Sequence, residues 1–205
     1  MFTGIITAVG TITRVERRGD TRVTIACPFD PAAIAIGASI ACSGVCLTVV
    51  DRGGQPGDAW FAVDVSDETL SCTAPRWVEG AKLNLEQALK LGDELGGHIV
   101  TGHVDGVGEV LGLCPQGDSV RVGIAAPKAL APYLAAKGSI TIDGVSLTVN
   151  EVADRDDGTC HFALNLIPHT SEVTTLGALA QGDKVNLEID VLARYLKRME
   201  ALRVA

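Results

Sequence analysis

Apolar and β-branched residues gather in short runs along this chain. Residues 4–15, 21–27, 38–50 and 59–66 are rich in Val, Ile and Thr, and Gly10, Gly19, Pro28, Gly37, Gly53-Gly54 and Gly57 punctuate them. The second half repeats the pattern at 102–112, 119–125, 139–152 and 160–167. Such runs between turn formers predict strands. Alanine-rich inserts at 30–36 and 127–137 are each long enough for a short helix. Many short strands separated by glycine turns predict a small closed antiparallel barrel, which leaves no exposed edge for a Val/Ile-rich chain to aggregate through. The tail differs. From Val191 onward Leu192, Tyr195, Leu196, Met199 and Leu202 fall three or four apart, with Arg194, Lys197, Arg198 and Glu200 between them. That period predicts an amphipathic helix, either packed on its own barrel or joining copies of the chain.

The two halves are copies of one another. Thr3-Gly4 returns as Thr101-Gly102, Arg22-Val23 as Arg121-Val122, Gly44-Val45 as Gly144-Val145, Phe61-Ala62 as Phe162-Ala163, and Asn84-Leu85-Glu86 as Asn186-Leu187-Glu188. The spacing between matched residues grows one residue at a time, as single-residue loop insertions produce. A repeat this long is a whole domain, not a solenoid unit. The boundaries are residues 1–97 for the first barrel, 98–190 for the second and 191–205 for the helix, which has no counterpart after Glu86. Two similar domains imply two similar pockets, and these suit chemistry on two similar molecules.

Composition narrows the classes. The net charge of −8 argues against nucleic acid, whose phosphates need a basic face. No apolar stretch reaches the roughly 18 residues of a membrane span, and the start lacks a signal-peptide pattern. Both observations point to the cytoplasm, where the six cysteines would be free thiols. Their spacing contains no C-x-x-C pair, and His98 and His103 would face opposite ways on a strand, so no metal site is expected. With 47% hydrophobic and 20% charged residues, part of the apolar surface is expected to be covered by other subunits.

The specific segments are Met1-Phe2-Thr3-Gly4-Ile5-Ile6, Ser43-Gly44-Val45-Cys46-Leu47-Thr48-Val49, Gly96-Gly97-His98 leading into Thr101-Gly102-His103-Val104, Asp143-Gly144-Val145-Ser146-Leu147-Thr148-Val149, and Leu166-Ile167-Pro168-His169-Thr170. In this order, in both halves, they resemble the riboflavin synthase family of duplicated lumazine-binding barrels over essentially the whole chain. The resemblance implies an all-β fold of two tandem closed antiparallel six-stranded Greek-key barrels plus a C-terminal α-helix. It implies a transferase that dismutates two 6,7-dimethyl-8-ribityllumazine molecules by moving a four-carbon unit, giving riboflavin and a diaminopyrimidine without a metal or dissociable cofactor. It also implies a homotrimer whose active sites pair the first barrel of one chain with the second barrel of its neighbour, and it allows association with lumazine synthase.

The repeats carry a pattern that fits a donor and an acceptor of one compound. Thr48 matches Thr148 and Gly4 matches Gly102, while Cys46 stands against Ser146, Ser43 against Asp143, and Ile5 against His103. Alternate residues of a strand share a face, so Cys46 and Thr48 point one way and Leu47 the other, as do Ser146 and Thr148 about Leu147. By the family correspondence, Cys46, His103, Ser146, Thr148, Phe2 and Asp143 are the expected catalytic residues. His103 would move protons and Phe2 would act as a lid or stacking element. The expected substrate contacts are Gly4, Ile5, Ile6, Cys46, Leu47, Thr48, Gly102, His103, Val104, Lys137, Ser146, Leu147, Thr148 and Asp190. The turns Asp64, Val65, Ser66, Asp67, Glu68, Thr69 and Asn165, Leu166, Ile167, Pro168, His169, Thr170 would hold the ring and the ribityl polyol. Ser66-Asp67-Glu68 also reads as a helix N-cap and Asp143-Gly144 as a turn, and His169 would lie in a loop.

Overall fold

The computed structural model describes residues 1–203, so Val204 and Ala205, the end of the expected 191–205 helix, lie outside the described residues. In the first half, β1 (Ala8–Arg18), β2 (Asp20–Cys27), β3 (Ser39–Cys42), β4 (Val45–Gln55), β5 (Asp58–Val65) and β6 (Lys82–Gln87) close into an antiparallel barrel in the order β1-β2-β5-β4-β3-β6. Burial alternates residue by residue along β2. That period of two sends Val23 and Ile25 inward to meet Ile12, Phe61, Val63, Leu83 and Leu85 in the core. The short helix α1 (Asp67–Cys72) follows β5.

The second half repeats this with β7 (Gly106–Gln116), β8 (Ser119–Pro127), β9 (Ser139–Ile142), β10 (Val145–Thr148), β11 (Glu151–Asp154), β12 (Thr159–Leu166) and β13 (Lys184–Ile189). The sheet order is β10-β9-β13-β7-β8-β12-β11. Its two edge strands follow each other in the chain and are separated only by Val149 and Asn150. The sheet curls round into a half-barrel whose two edge strands are joined by that link without a ladder between them, and the counterpart of the bulged β4 is broken in two. Helix α2 (Pro168–Val173) mirrors α1, and α3 (Val191–Arg203) ends the described chain.

Several expected boundaries shift for local reasons. The run 38–50 is a hairpin, β3 and β4, because Ser43 and Gly44 both have positive φ (46° and 81°) and make the tight turn whose twist suits a hairpin. Asp143 and Gly144 do the same at 47° and 82°, so the run 139–152 holds three strands. The alanine-rich inserts form only 3-10 turns, at Pro31–Ala33 and Lys128–Tyr133. The expected strands from residues 4 and 102 begin only at Ala8 and Gly106, because the backbone donors before them bond to glutamate side chains instead of a ladder.

The repeats meet about an approximate twofold axis. Phe2 and Val100 exchange backbone hydrogen bonds of 2.7 and 3.0 Å. Asn84 Nδ2 donates to the Asp143 carbonyl (2.9 Å), and Asn186 Nδ2 donates to the Ser43 carbonyl (2.8 Å). Their Oδ1 atoms accept from Thr175 and Ala74 backbone N–H groups, both at 2.7 Å. Where the two turns touch, a Cβ on Gly44 would stand 2.9 Å from the Gly144 nitrogen, so both positions need glycine for space as well as for φ. Helix α3 is started by Asp190, whose Oδ1 accepts the Leu192 N–H, and Arg194 pairs with Asp105 at 2.7 Å. Its stripe of Leu192, Tyr195, Leu196, Met199 and Leu202 is 54–67% exposed, so the helix does not bury that stripe on its own barrel.

Candidate functional site

The strand pairing opens one slot per barrel. β4 pairs with β5 only from Val49↔Val63 onward. The ends Val45–Thr48 and Asp64–Val65 therefore separate. In the second repeat β10 pairs with β9 and makes no ladder to β12. On the first lip the expected alternation holds, with Leu47 buried, Cys46 half-buried and Thr48 exposed; on the second Ser146 and Leu147 are both half-buried and Thr148 is exposed.

The segment that covers each slot comes from the other repeat. The Ser146 N–H donates to the Gly4 carbonyl and the Cys46 N–H to the Gly102 carbonyl, both at 2.8 Å. Both glycines have positive φ (77° and 78°). A Cβ there would lie 2.5 Å from Ser146 Cβ or 2.6 Å from Cys46 Cβ, so only glycine allows this approach. Ile6 packs against the core of barrel two and Val104 against that of barrel one. Residues Gly4–Ile6 thus lie against barrel two and Gly102–Val104 against barrel one, so each repeat lends a short segment to the other. Two clusters result: Gly4, Ile5, Ser146 and Thr148 at barrel two, and Gly102, His103, Cys46 and Thr48 at barrel one.

Glutamates hold these segments. Glu86 on β6 accepts from Thr3 N (2.7 Å), Thr3 Oγ1 (2.8 Å) and Gly4 N (2.9 Å). Glu188 on β13 accepts from Thr101 N (2.6 Å), Thr101 Oγ1 (2.7 Å), Gly102 N (2.9 Å) and His103 N (3.2 Å). Burial raises the pKa of both carboxyls, and the hydrogen bonds oppose that rise.

The slots differ in one group without a counterpart. His98 Nδ1 lies 2.7 Å from Ser146 Oγ, and His98 Nε2 lies 3.2 Å from Thr141 Oγ1. Burial lowers the His98 pKa, and the charge of Asp190 works against that shift. A neutral imidazole placed this way can accept a proton from a hydroxyl and is itself oriented by a second one. Cys46, facing the Gly102 segment, has no such histidine partner among the described hydrogen bonds.

Other expected residues fall into place unevenly. Asp64 is engaged by Arg22 through two hydrogen bonds of 2.8 and 2.9 Å, and this pairing chiefly lowers its pKa. Its counterpart Asn165 has a buried Oδ1 without a partner among the described residues, because the corresponding Arg121 turns to Glu151 (2.8 Å). An unpaired buried acceptor beside the slot suits a ligand hydroxyl. Ser66 caps α1 by accepting the Thr69 N–H at 3.2 Å, and Asp67 pairs with Arg17 at 2.7 Å. Glu68 and Ile167 are exposed. His169 lies in α2 rather than a loop, because Pro168 fits the first turn of that helix and Thr170 continues it. Lys137 has φ 68° at the turn where the first repeat has Gly37, a conformation an L residue adopts at a cost.

Some expectations need correction. Phe2 is fully buried with Ala41 and Val100, so it packs between the repeats and does not form a lid. Asp143 is buried too. Its Oδ1 accepts the Asn186 N–H (2.8 Å) and pairs with Arg76 (2.9 Å) across the repeats. Burial pushes its pKa up to about 6 against the pull of Arg76. Its carboxylate is thus used in the turn, where Ser43 Oγ accepts the Asn84 N–H at 3.1 Å. Leu47, Val65 and Leu166 belong to the barrel cores, so they can offer a ligand only backbone, while Leu147 is half-buried. Sequence reasoning missed His98, Glu86 and Glu188 as site residues. The signals were present in Gly97-His98, and in Asn-Leu-Glu written in both halves.

Two β-barrel repeats, each with strand ends that part where a glycine segment of the other repeat crosses them, define a duplicated small-molecule-binding protein. The lumazine binding domain model matches residues 3–88 and 101–190. The chain is 50% identical over 202 residues to the riboflavin synthase of Brucella abortus, covering 97% of this chain and 98% of that protein. It is 46% identical to that of Mycobacterium tuberculosis over the same shares, and 38% identical to that of Bacillus subtilis over 97% of this chain and 89% of the other. The crystal structure of LumP complexed with riboflavin superposes with a TM-score of 0.77 at 29% identity, covering 92% of this chain and 99% of that one. LumP complexed with 6,7-dimethyl-8-(1'-D-ribityl) lumazine gives 0.75 at 27% over the same shares. The chain belongs to the riboflavin synthase family of duplicated lumazine binding domains.

Among the described residues no group of three His, Cys, Asp or Glu side chains could hold a metal ion, and no helix is long and apolar enough to cross a membrane.

Proposed function

We propose that this chain makes riboflavin from two molecules of 6,7-dimethyl-8-ribityllumazine, one bound at each kind of slot. The observation that carries the reading is matched slots with unmatched chemistry. Gly4 against Ser146 repeats as Gly102 against Cys46, but only barrel two adds His98 at 2.7 Å from the Ser146 hydroxyl. Equivalent slots suit two copies of one compound, and a group present at one of them suits unequal roles.

In this reading Ser146 and His98 handle the proton lost from the C7 methyl of one lumazine, with Thr141 fixing the imidazole. The resulting carbanion forms a C–C bond to the other lumazine, and a second C–C bond from the remaining methyl closes the new ring. Two eliminations then break the donor's two C–N bonds, each nitrogen taking up a proton, and release the diaminopyrimidine. Holding both rings in register supplies much of the rate, up to roughly 7–11 kcal/mol in favourable cases. Asn165 and Lys137 serve the ribityl chain of one ligand, and the 64–69 turn with Thr48 serves the other. The exposed stripe on α3 supports a homotrimer that brings slots of different chains face to face; association with lumazine synthase and a cytoplasmic location are parts of the same proposal.

A lumazine or flavin carrier is the second reading, favoured by the likeness to the LumP complexes. Purified protein incubated with the lumazine separates the two. The enzyme yields riboflavin, seen by its absorbance, and a carrier binds without turnover. His98→Gln and Ser146→Ala should lower turnover about 10²-fold or more while lumazine affinity stays within a few-fold. Equal losses of both would make them binding residues only.

A further inference from the structure

We propose that Glu86 and Glu188 are crossed positioning residues: each carboxylate, rooted in one barrel, sets the ligand slot of the other. Glu86 and Glu188 are only 5% and 2% exposed, and among the described residues neither forms a salt bridge. A buried carboxylate without a cation is costly unless hydrogen bonds satisfy it. Here the hydrogen bonds come from Thr3 and Gly4 for Glu86, and from Thr101, Gly102 and His103 for Glu188. These are the segments that cross to the opposite barrel.

Each clamp continues into the opposite slot. Glu86 on barrel one fixes the Gly4 N–H, and the Gly4 carbonyl receives the Ser146 N–H on barrel two. Glu188 on barrel two fixes the Gly102 N–H, and the Gly102 carbonyl receives the Cys46 N–H on barrel one. Glycine's missing side chain lets each segment lie directly on the slot strand, so a small displacement reaches the slot without slack. Glu188 also takes the His103 N–H, whereas Ile5 N–H donates to Thr3 Oγ1. The barrel-one slot is therefore held one residue further along its covering segment. A carboxylate is required. An amide in its place would turn a donor toward a backbone N–H that has no other acceptor.

The assignment rests on reading the slots as ligand sites, but its test does not. Cys46 is a half-buried thiol at the barrel-one slot, and Cys72 and Cys114 are the exposed cysteines. In a Cys72→Ser, Cys114→Ser background, maleimide labelling of Cys46 reports on barrel one. Adding Cys46→Ser and Ser146→Cys moves the reporter to barrel two. Glu188→Gln should raise the labelling rate at 46 by about tenfold, the effect of losing one charge-assisted hydrogen bond, and leave position 146 within about twofold. Glu86→Gln should do the reverse. Thr101→Val, which removes one hydroxyl donor, and Thr3→Val, which removes a hydroxyl donor and the acceptor of the Ile5 N–H, should give the same crossed pattern at smaller amplitude and serve if either glutamine variant does not fold. Labelling that rises in the mutated residue's own barrel, rises equally in both, or stays unchanged in folded variants overturns the proposal. A crossed labelling pattern in the variants, together with no riboflavin formation by the unsubstituted protein, would leave the positioning intact and refute the enzymatic reading alone.

Discussion

Arg76→Met removes the cation from a buried ion pair that joins the two repeats, and its effect should depend on pH. Arg76 Nη2 lies 2.9 Å from Asp143 Oδ1, with side chains 17% and 1% exposed, and the same nitrogen donates to the Lys184 carbonyl at 2.9 Å. Burial raises the Asp143 pKa from 3.8 to about 6, and Arg76 holds it below where burial alone would put it. A folded pKa raised above the unfolded value gives stability that is fully present below pH 3.8 and lost as pH rises through about 6. A shift of this size is worth roughly 3 kcal/mol. Without Arg76 the carboxyl should titrate higher still. At pH 8 it must then be buried as an unpaired anion, at about 3–5 kcal/mol. At about pH 5 the carboxyl is mostly protonated in both proteins, and the loss should fall to roughly 1–2 kcal/mol, that of the hydrogen bonds alone. Urea unfolding of both proteins at the two pH values, at one protein concentration, reads this directly, because other titrating groups cancel in the difference. Asp143→Asn, which cannot titrate, should flatten the dependence. An equal loss at pH 5 and pH 8 would refute the account of Asp143 as a buried, Arg76-paired carboxylate.

Two further outcomes follow from the same geometry. Lys137→Gly relieves a left-handed backbone that the first repeat assigns to Gly37, so urea unfolding should show a stability gain of up to about 1 kcal/mol. Fluorescence titration should show weaker lumazine binding, and unchanged affinity would make Lys137 a mere turn residue. Leu196→Asp with Met199→Asp, at positions 67% and 54% exposed, should lower the oligomeric state in sedimentation and reduce riboflavin formation. Both barrels should stay folded by circular dichroism. A variant that stays oligomeric and active places assembly on the barrel surfaces.

The sequence by itself determined what depends on local order. The duplication, the β class, the tight turn at Asp143-Gly144, the cap at Ser66 and the tail helix are set by nearest-neighbour chemistry and spacing, and all are legible in the chain; the matching turn at Ser43-Gly44 falls inside the run 38–50, which reads as one strand. So is the sharing of a face by Cys46 and Thr48, which strand alternation fixes. The tertiary structure decided which repeat completes which slot. Residues Gly4–Ile6 and Gly102–Val104 carry no strand ladder of their own, so their places depend on acceptors and apolar surfaces distant in sequence. Glu86 and Glu188 supply the acceptors, and the opposite barrel supplies the surface. The same holds for His98, which acquires its meaning from Ser146 and Thr141, more than forty positions away. Phe2 and Asp143 show the converse. Their types suggested chemistry, but only packing against the other repeat decides whether a side chain meets solvent or core, and both are enclosed there.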